Sequence, residues 1–316
     1  MRIVFMGSPA FARPTLRRLI ESQHQIVAVV TQPDRPAGRR RALRPPAAKE
    51  LALAHDLPVL QPERVNAPDA LNELRALAPD VIVIAAYGQI LKQPLLDLPR
   101  RGCLNVHASL LPAYRGAAPV AGALLAGEEK TGVTILEVVL ALDAGPMLAQ
   151  RSFPIDRRDT TGSLTEKLAT VGADLLIRTL PPWERGEITP QPQDEALVTS
   201  SPSLRREDAV IDWSLPAVEI WRCVRAYNPW PVATTTLDGE PLRILEAEPL
   251  ETKSTAAPGT ALALPDGTSA PAGAGFAVSC GTGLLAVVRA QRSGRRDLSG
   301  EEFLRGVPGL LGKRLG

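Results

Sequence analysis

Leu104-Asn105-Val106-His107-Ala108-Ser109-Leu110-Leu111-Pro112 is the stretch on which the fold turns. Its first four residues make a short strand, and its last four make a turn that ends on proline. Asn105 and His107 stand two residues apart, so on a strand both side chains leave the same face. A polar pair of that kind is costly to bury without partners, which places it at a half-open site. The other two histidines, His24 and His55, lie in polar contexts near helix ends. His107 alone follows an apolar run and leads into a turn.

Outward from this strand the same kind of run repeats. Residues 3–6, 26–31, 81–86 and 133–138 are continuous and β-branched, as expected of strands covered on both faces. Between them lie helical patterns near 9–21, 47–54, 67–78, 119–126 and 164–180. The last is opened by a capping box, Ser163-Leu164-Thr165-Glu166. Alternating strands and helices predict an α/β domain on a mostly parallel sheet. Ligands of such sheets bind beyond the carboxyl ends of the strands, where Asn105 and His107 fall.

A chain of 316 residues exceeds the usual single-domain size, so two domains are expected. The composition changes after Gly186. Residues 189–208 are polar, proline-rich and without periodicity, which is the signature of a linker. A helical pattern over 216–227 follows. Short runs at 232–237, 242–248, 259–264, 276–280 and 284–291 then predict a small β-barrel, with Asp238-Gly239 as a hairpin turn. The boundaries are therefore a domain over 1–188, a linker over 189–208 and a second domain over 209–316.

Apolar content of 45% with 22% charged residues is ordinary for a globular enzyme. No apolar run approaches the ~18–20 residues that cross a bilayer. The N-terminal run Ile3-Val4-Phe5-Met6 is too short for a signal segment and reads as a first buried strand. Cys103, Cys223 and Cys280 have no metal-ligand spacing and no even count for a disulfide framework, so a reduced, cytoplasmic setting is expected. Only Gly7 of a dinucleotide fingerprint is present, and no phosphate-cradling Gly-x-x-x-x-Gly-Lys motif occurs, so NAD and ATP are not expected as cofactors. No coiled-coil signal suggests assembly, and a monomer is expected.

The net charge of +2 hides an uneven distribution. Arg35, Arg39, Arg40, Arg41, Arg44 and Lys49 occur within one stretch that holds no acidic residue. Pro36, Gly38, Pro45 and Pro46 keep that stretch from being helical throughout. A basic loop of this kind suits a polyanion. Thirty-six residues after His107 comes Asp143, at the end of the apolar run 132–142 and ahead of Gly145-Pro146. Asn105, His107 and Asp143 together offer an amide donor, a switchable acid/base and an orienting carboxylate.

At these residues the chain resembles the methionyl-tRNA formyltransferases, over essentially its whole length. The matching segments are Thr31 to Arg39 (Thr-Gln-Pro-Asp-Arg-Pro-Ala-Gly-Arg), Ala86-Tyr87-Gly88, Asn105 through Pro112, Arg115-Gly116-Ala117-Ala118-Pro119 and Gly132-Val133-Thr134-Ile135. Leu142-Asp143, Ile211-Asp212-Trp213-Ser214 and Arg225-Ala226-Tyr227-Asn228-Pro229-Trp230-Pro231 complete the match. Asn-x-His and Leu-Asp are shared by folate-dependent formyltransferases at large. The Gln-Pro-Asp-Arg-Pro-Ala-Gly and Asn-Pro-Trp-Pro segments are more specific to the tRNA-directed branch.

The resemblance implies a Rossmann-like catalytic domain followed by an OB-fold-like, tRNA-binding barrel. It implies 10-formyltetrahydrofolate as donor and the α-amino group of methionyl initiator tRNA as acceptor, with no metal. Asn105, His107 and Asp143 are then the catalytic set. Ser109, Leu110, Leu111 and Pro112 belong to the donor-binding segment, with Ala86, Tyr87, Gly88 and Leu91 walling the pteridine pocket. Leu111-Pro112 is expected to be cis, which suits a sharp turn. Arg39, Arg40, Arg41 and Arg44 fall where the family contacts tRNA. Trp213 and Trp230, in apolar runs, are expected in the core.

The chain departs from the family where Ala141, Ala144 and Pro146 flank Asp143, and at Ala113, where arginine is frequent. Another folate formyltransferase or a formyl-folate hydrolase, acting on a small amine, an amino sugar or water, is the rival reading among enzymes. The linker and the barrel argue against a glycinamide ribonucleotide enzyme, which would lack a second domain. A non-catalytic RNA-binding relative is the rival outside enzymes, and the intact Asn105, His107 and Asp143 argue against that.

Overall fold

A computed structural model describes residues 1–37, 42–267 and 270–316. In chain order the elements begin β1 (Arg2–Gly7), α1 (Ala12–Ile20), β2 (Gln25–Val30), β3 (Arg35–Ala37), β4 (Ala42–Arg44), α2 (Ala47–Leu53), β5 (Val59–Leu60) and α3 (Pro68–Ala76). They continue β6 (Val81–Ala85), α4 (Gln93–Leu96), β7 (Cys103–His107), β8 (Arg115–Gly116), α5 (Pro119–Ala126), β9 (Lys130–Glu137), β10 (Met147–Pro154), α6 (Thr161–Glu184) and β11 (Ser200–Ser201). The remainder is α7 (Ala217–Ala226), β12 (Thr234–Leu237), β13 (Glu240–Leu250), β14 (Ala261–Leu262), β15 (Phe276–Ser279), β16 (Leu284–Arg292), β17 (Leu298–Ser299) and α8 (Gly300–Gly306).

Packing separates two units. The first comprises Met1–Pro119, Glu129–Ile155 and Leu164–Ser201, and the second Val120–Glu128, Asp156–Ser163 and Pro202–Gly316. The stretch 189–208 does not stand apart from both. As far as Ser201 it belongs to the first unit, where Gln191 bridges Met147 and β11 pairs with β8.

The first unit carries a seven-stranded sheet in the order β10-β9-β7-β6-β1-β2-β5. From β7 to β5 every pairing is parallel, while β9 and β10 run antiparallel to their neighbours. The parallel strands are the continuous apolar runs of the sequence, because both of their faces are covered. Along β1 and β6, Val4, Met6, Ile82 and Ile84 join one core with Leu74 and Leu95. The strand order reverses between β1 and β6, so the carboxyl ends of β1, β6 and β7 lie at a topological switch point, the usual ligand crevice of such sheets.

Three details differ from the sequence expectations. The run 133–138 is β9 and is antiparallel, and its partner β10 was not expected at all. The reason lies in β10 itself: Gln150, Arg151 and Ser152 are exposed on an edge strand, so no buried run marks it. The helix expected over 164–180 begins a turn earlier. Its reciprocal cap is Thr160 with Ser163, each side-chain oxygen accepting from the other's backbone N–H at 3.2 and 3.0 Å.

The second unit is a curled antiparallel half-barrel, ordered β12-β13-β16-β15-β14 with β17 against β16. Asp238 and Gly239 both take positive φ between β12 and β13, as a tight hairpin turn requires. Trp213, Ile220, Val224, Phe276, Val287 and Phe303 form its core. Trp213 donates to Thr235 Oγ1 at 3.0 Å. Trp230 does not join that core and is 52% exposed, contrary to expectation, because it stands in a proline-bounded turn outside the sheet. No described helix is long and apolar enough to cross a membrane.

Candidate active site

Strand β7 ends with Asn105 half-buried and His107 6% exposed. Val106 between them faces the other way, toward helix α6. There Gly172 lets the helix close in: a Cβ on it would stand 2.6 Å from Val106 Cγ1. The Asn105–His107 face is thus the one turned from α6. The Asn105 amide makes no side-chain hydrogen bond to any described residue. It is a half-exposed donor held on a rigid strand.

His107 has a polar neighbour at each ring nitrogen. Nε2 lies 3.1 Å from the carbonyl oxygen of Tyr114, which can only accept, so the proton is assigned to Nε2. Nδ1 faces Asp143 Oδ2 at 3.7 Å, too long for a direct hydrogen bond and suited to a bridging water. Burial pushes the imidazole below its ordinary value near 6.5, against the opposing pull of Asp143 and the Tyr114 carbonyl. The ring is neutral at pH 7. Asp143 Oδ2 also accepts from Gly116 N at 2.9 Å, and Asp143 sits in the left-handed region with φ 52°. The carboxylate therefore has a fixed address beside the imidazole.

The turn after β7 is bonded to β9 and β10. Leu111-Pro112 is cis, as expected. Thr134 Oγ1 donates to Ser109 O at 2.7 Å and accepts from Leu111 N at 3.1 Å. Gln150 Nε2 donates to Leu111 O at 2.7 Å and to Thr134 Oγ1 at 2.9 Å. Ser109 is fully buried and spends its hydroxyl on Ala113 O at 2.7 Å. Leu111 is buried too, while Leu110 and Pro112 remain half-buried.

The 86–91 loop divides in the same way. Ala86, at φ 51°, and Gly88, at φ 91°, are exposed. Tyr87 and Leu91 are buried in the core behind β6. Tyr87 thus turns its ring away from solvent, and burial pushes its phenol up to about 12. What it presents at the crevice is its carbonyl, which accepts from Ser8 Oγ at 3.3 Å and Gln32 Nε2 at 3.1 Å.

Family models match two consecutive parts of the chain, a formyl transferase domain over residues 1–180 and a formyl transferase C-terminal domain over 203–308. A methionyl-tRNA formyltransferase of Roseiflexus sp. (strain RS-1) is 48% identical, over 100% of this chain and 95% of its own length. One of Bacillus subtilis (strain 168) is 45% identical, over 100% and 98%. The chain belongs to the methionyl-tRNA formyltransferase family. Its fold is also that of HypX from Aquifex aeolicus, solved in complex with tetrahydrofolic acid, at a TM-score of 0.65 and 21% identity. That alignment covers 99% of this chain and 48% of HypX, so the chain spans about half the length of that protein.

In this formyltransferase the basic loop is only partly placed. Arg39, Arg40 and Arg41 lie outside the described residues. Arg44 is exposed on β4. Lys49, counted in the same basic run, is bound to Asp34 at 2.8 Å and to Gln61 at 2.7 Å, so its charge is already matched. Among the described residues no three His, Cys, Asp or Glu side chains group as a metal site. Sequence reasoning missed Thr134, Gln150 and Gln193, which hold the two segments around His107. Thr134 lies within a quoted matching segment, but nothing local marks it as a clamp.

Proposed function

We propose that this enzyme moves the formyl group of 10-formyltetrahydrofolate to the α-amino group of methionyl initiator tRNA, giving N-formylmethionyl-tRNA and tetrahydrofolate. The observation that carries the reading is a free Asn105 amide beside a neutral, buried His107 whose Nδ1 faces Asp143.

Transfer needs a neutral amine, and an α-amino group with pKa ~7.7–8.0 supplies a useful fraction near pH 7. Its nitrogen lone pair forms a bond to the formyl carbon, whose C=O pair moves onto oxygen. Asn105 donates to that oxyanion. His107 is assigned the second donor, a role in which Nε2 must give up the Tyr114 carbonyl. The oxyanion then reforms C=O as the bond from carbon to folate N10 breaks. The proton lost by the amine passes to that nitrogen through His107 Nδ1 and a water oriented by Asp143. A neutral imidazole can accept this proton, which is why its burial matters.

The donor is assigned to the crevice between the turn at Ser109, Leu110, Leu111 and Pro112 and the loop at Ala86, Tyr87, Gly88 and Leu91. Leu110, Pro112, Ala86 and Gly88 offer accessible surface, and the buried four set the shape. We assign catalysis to residues 1–188 and tRNA binding to Arg39, Arg40, Arg41, Arg44 and the domain over 209–316. In support, Arg292, Arg295, Arg296 and Arg305 line one open groove of about 820 Å³ in the second unit. Glu302 lines the same groove, 3.7 Å from Arg296, and both Arg296 and Arg305 favour its charged form. Such a groove suits a phosphate backbone. The enzyme is assigned to the cytoplasm, as a monomer that uses neither metal, NAD nor ATP.

The test supplies 10-formyltetrahydrofolate with charged initiator tRNA, and elongator methionyl-tRNA as control, and reads formyl-methionine by acid gel. Formylation of the initiator alone supports donor and acceptor together. No formylation, with folate still bound, overturns the acceptor and leaves a small-amine formyltransferase.

A further inference from the structure

The stretch 191–201 has a linker's composition, yet it is bonded to both segments that hold the candidate relay. At one end Gln191 exchanges two backbone hydrogen bonds with Met147, each 2.8 Å. Gln193 follows, with its side chain buried among polar partners. Its Nε2 donates to the carbonyls of Asp143 at 2.7 Å and Gly145 at 2.8 Å. Its Oε1 accepts from Arg115 Nε at 2.9 Å, and Arg115 Nη2 pairs with Glu195 at 2.7 Å. At the other end Thr199 Oγ1 accepts from Tyr114 N at 2.8 Å, and Thr199 O accepts from Arg115 N at 2.9 Å.

Asp143 and Tyr114 are both non-glycine residues at positive φ, 52° and 62°. Backbone of that kind persists where its surroundings over-determine it. The loop 141–146 has few means of its own. Ala141, Ala144 and Pro146 carry no polar side-chain atom, and a single turn bond joins Ala144 N to Ala141 O at 3.2 Å. Among the described residues only Gln193 donates to the carbonyls of Asp143 and Gly145.

We infer that Gln193 is a positioning residue for formyl transfer, fixing the Asp143 carboxylate against His107 by holding the carbonyls of Asp143 and Gly145. The same stretch steadies Tyr114, whose carbonyl takes the other ring nitrogen of His107. The Gln193 side chain bonds to neither Asn105 nor His107, so it acts through Asp143. The inference rests on the formyl-transfer reading of the site.

Gln193→Glu keeps the length of the side chain and an acceptor for Arg115, but it cannot donate to the two carbonyls. The expected result is a kcat lower by roughly 10- to 100-fold, since misplacement by about 1 Å costs on that order. The KM values for 10-formyltetrahydrofolate and for methionyl initiator tRNA stay within about twofold, because the donor turn and the basic residues are untouched. In an Asp143→Ala background the same substitution costs less than about twofold, as expected of residues acting in series. Gln193→Met, uncharged and equally unable to donate, gives the same pattern if Gln193→Glu melts early. A kcat within about threefold of the unsubstituted enzyme in both variants overturns the inference, and so does an equal loss with and without Asp143. An unsubstituted enzyme that formylates no methionyl initiator tRNA overturns the proposed function instead.

Discussion

Two segments flank His107, and they are held by different means. The turn 109–113 is fixed by Thr134 and Gln150 on β9 and β10, strands of the same sheet, and its own Ser109 closes it. The loop 141–146 follows β9, whose Glu137 N–H donates to the Pro146 carbonyl at 2.9 Å, yet the carbonyls of Asp143 and Gly145 are held from Gln193, fifty residues beyond Asp143. The turn is rigid because the sheet is rigid. The loop leans on Gly116 N for its carboxylate and on the 191–201 segment for the carbonyls of Asp143 and Gly145. The difference sorts substrate shape from catalytic geometry: damage to the turn should appear in folate affinity, and damage to the loop in kcat.

The harshest way to break the comparison is Asp143→Ala. Loss of the group that orients the proton relay should lower kcat by roughly 10²- to 10⁴-fold with the folate KM unchanged, measured by steady-state formylation. An equal rise in KM would mean that the loop also shapes the donor pocket.

Gly145→Ala should come next. A Cβ there would lie 1.7 Å from the Glu137 carbonyl oxygen, so the backbone must move and carry Asp143 with it. We expect a kcat loss of roughly 10²-fold, again with folate binding intact by fluorescence titration.

On the other side, Thr134→Val leaves the buried Leu111 N–H without its acceptor. That should cost about 1–3 kcal/mol of stability in denaturant unfolding and raise the folate KM more than it lowers kcat. A pure kcat effect would erase the distinction between the two segments.

The smallest effect is on titration. Burial holds His107 below 6.5, so the folded state favours the neutral ring. The stability linked to this is complete above the unfolded value and is lost as pH falls through the folded one. Asp143 pulls the other way, favouring the imidazolium. Asp143→Asn should therefore move the His107 titration, followed by ring NMR, to still lower pH. An upward movement would show that Asp143 does not face the imidazole in solution.

The parallel strands were legible because burial on both faces leaves unbroken β-branched runs, and β7 was legible because Asn105 and His107 interrupt one. Edge strand β10 was not, since exposed Gln150 and Arg151 erase its periodicity. Trp230 was misplaced because an apolar neighbourhood in sequence is a proline turn in space. The candidate triad could be named from residue types and spacing. The residues that hold it could not: Gln193 lies in a stretch whose proline and polar content is that of a linker, and its role exists only through contacts remote in sequence. Tyr87 shows the same limit, because a matching segment does not say which way a side chain turns.

The most direct test is single-turnover formylation of methionyl initiator tRNA with 10-formyltetrahydrofolate prebound, comparing His107→Ala with the unsubstituted enzyme. The account predicts a transfer rate lower by roughly 10²- to 10⁴-fold with folate still bound. A rate within about threefold would contradict it and move the proton transfer away from the Asn105–His107–Asp143 set.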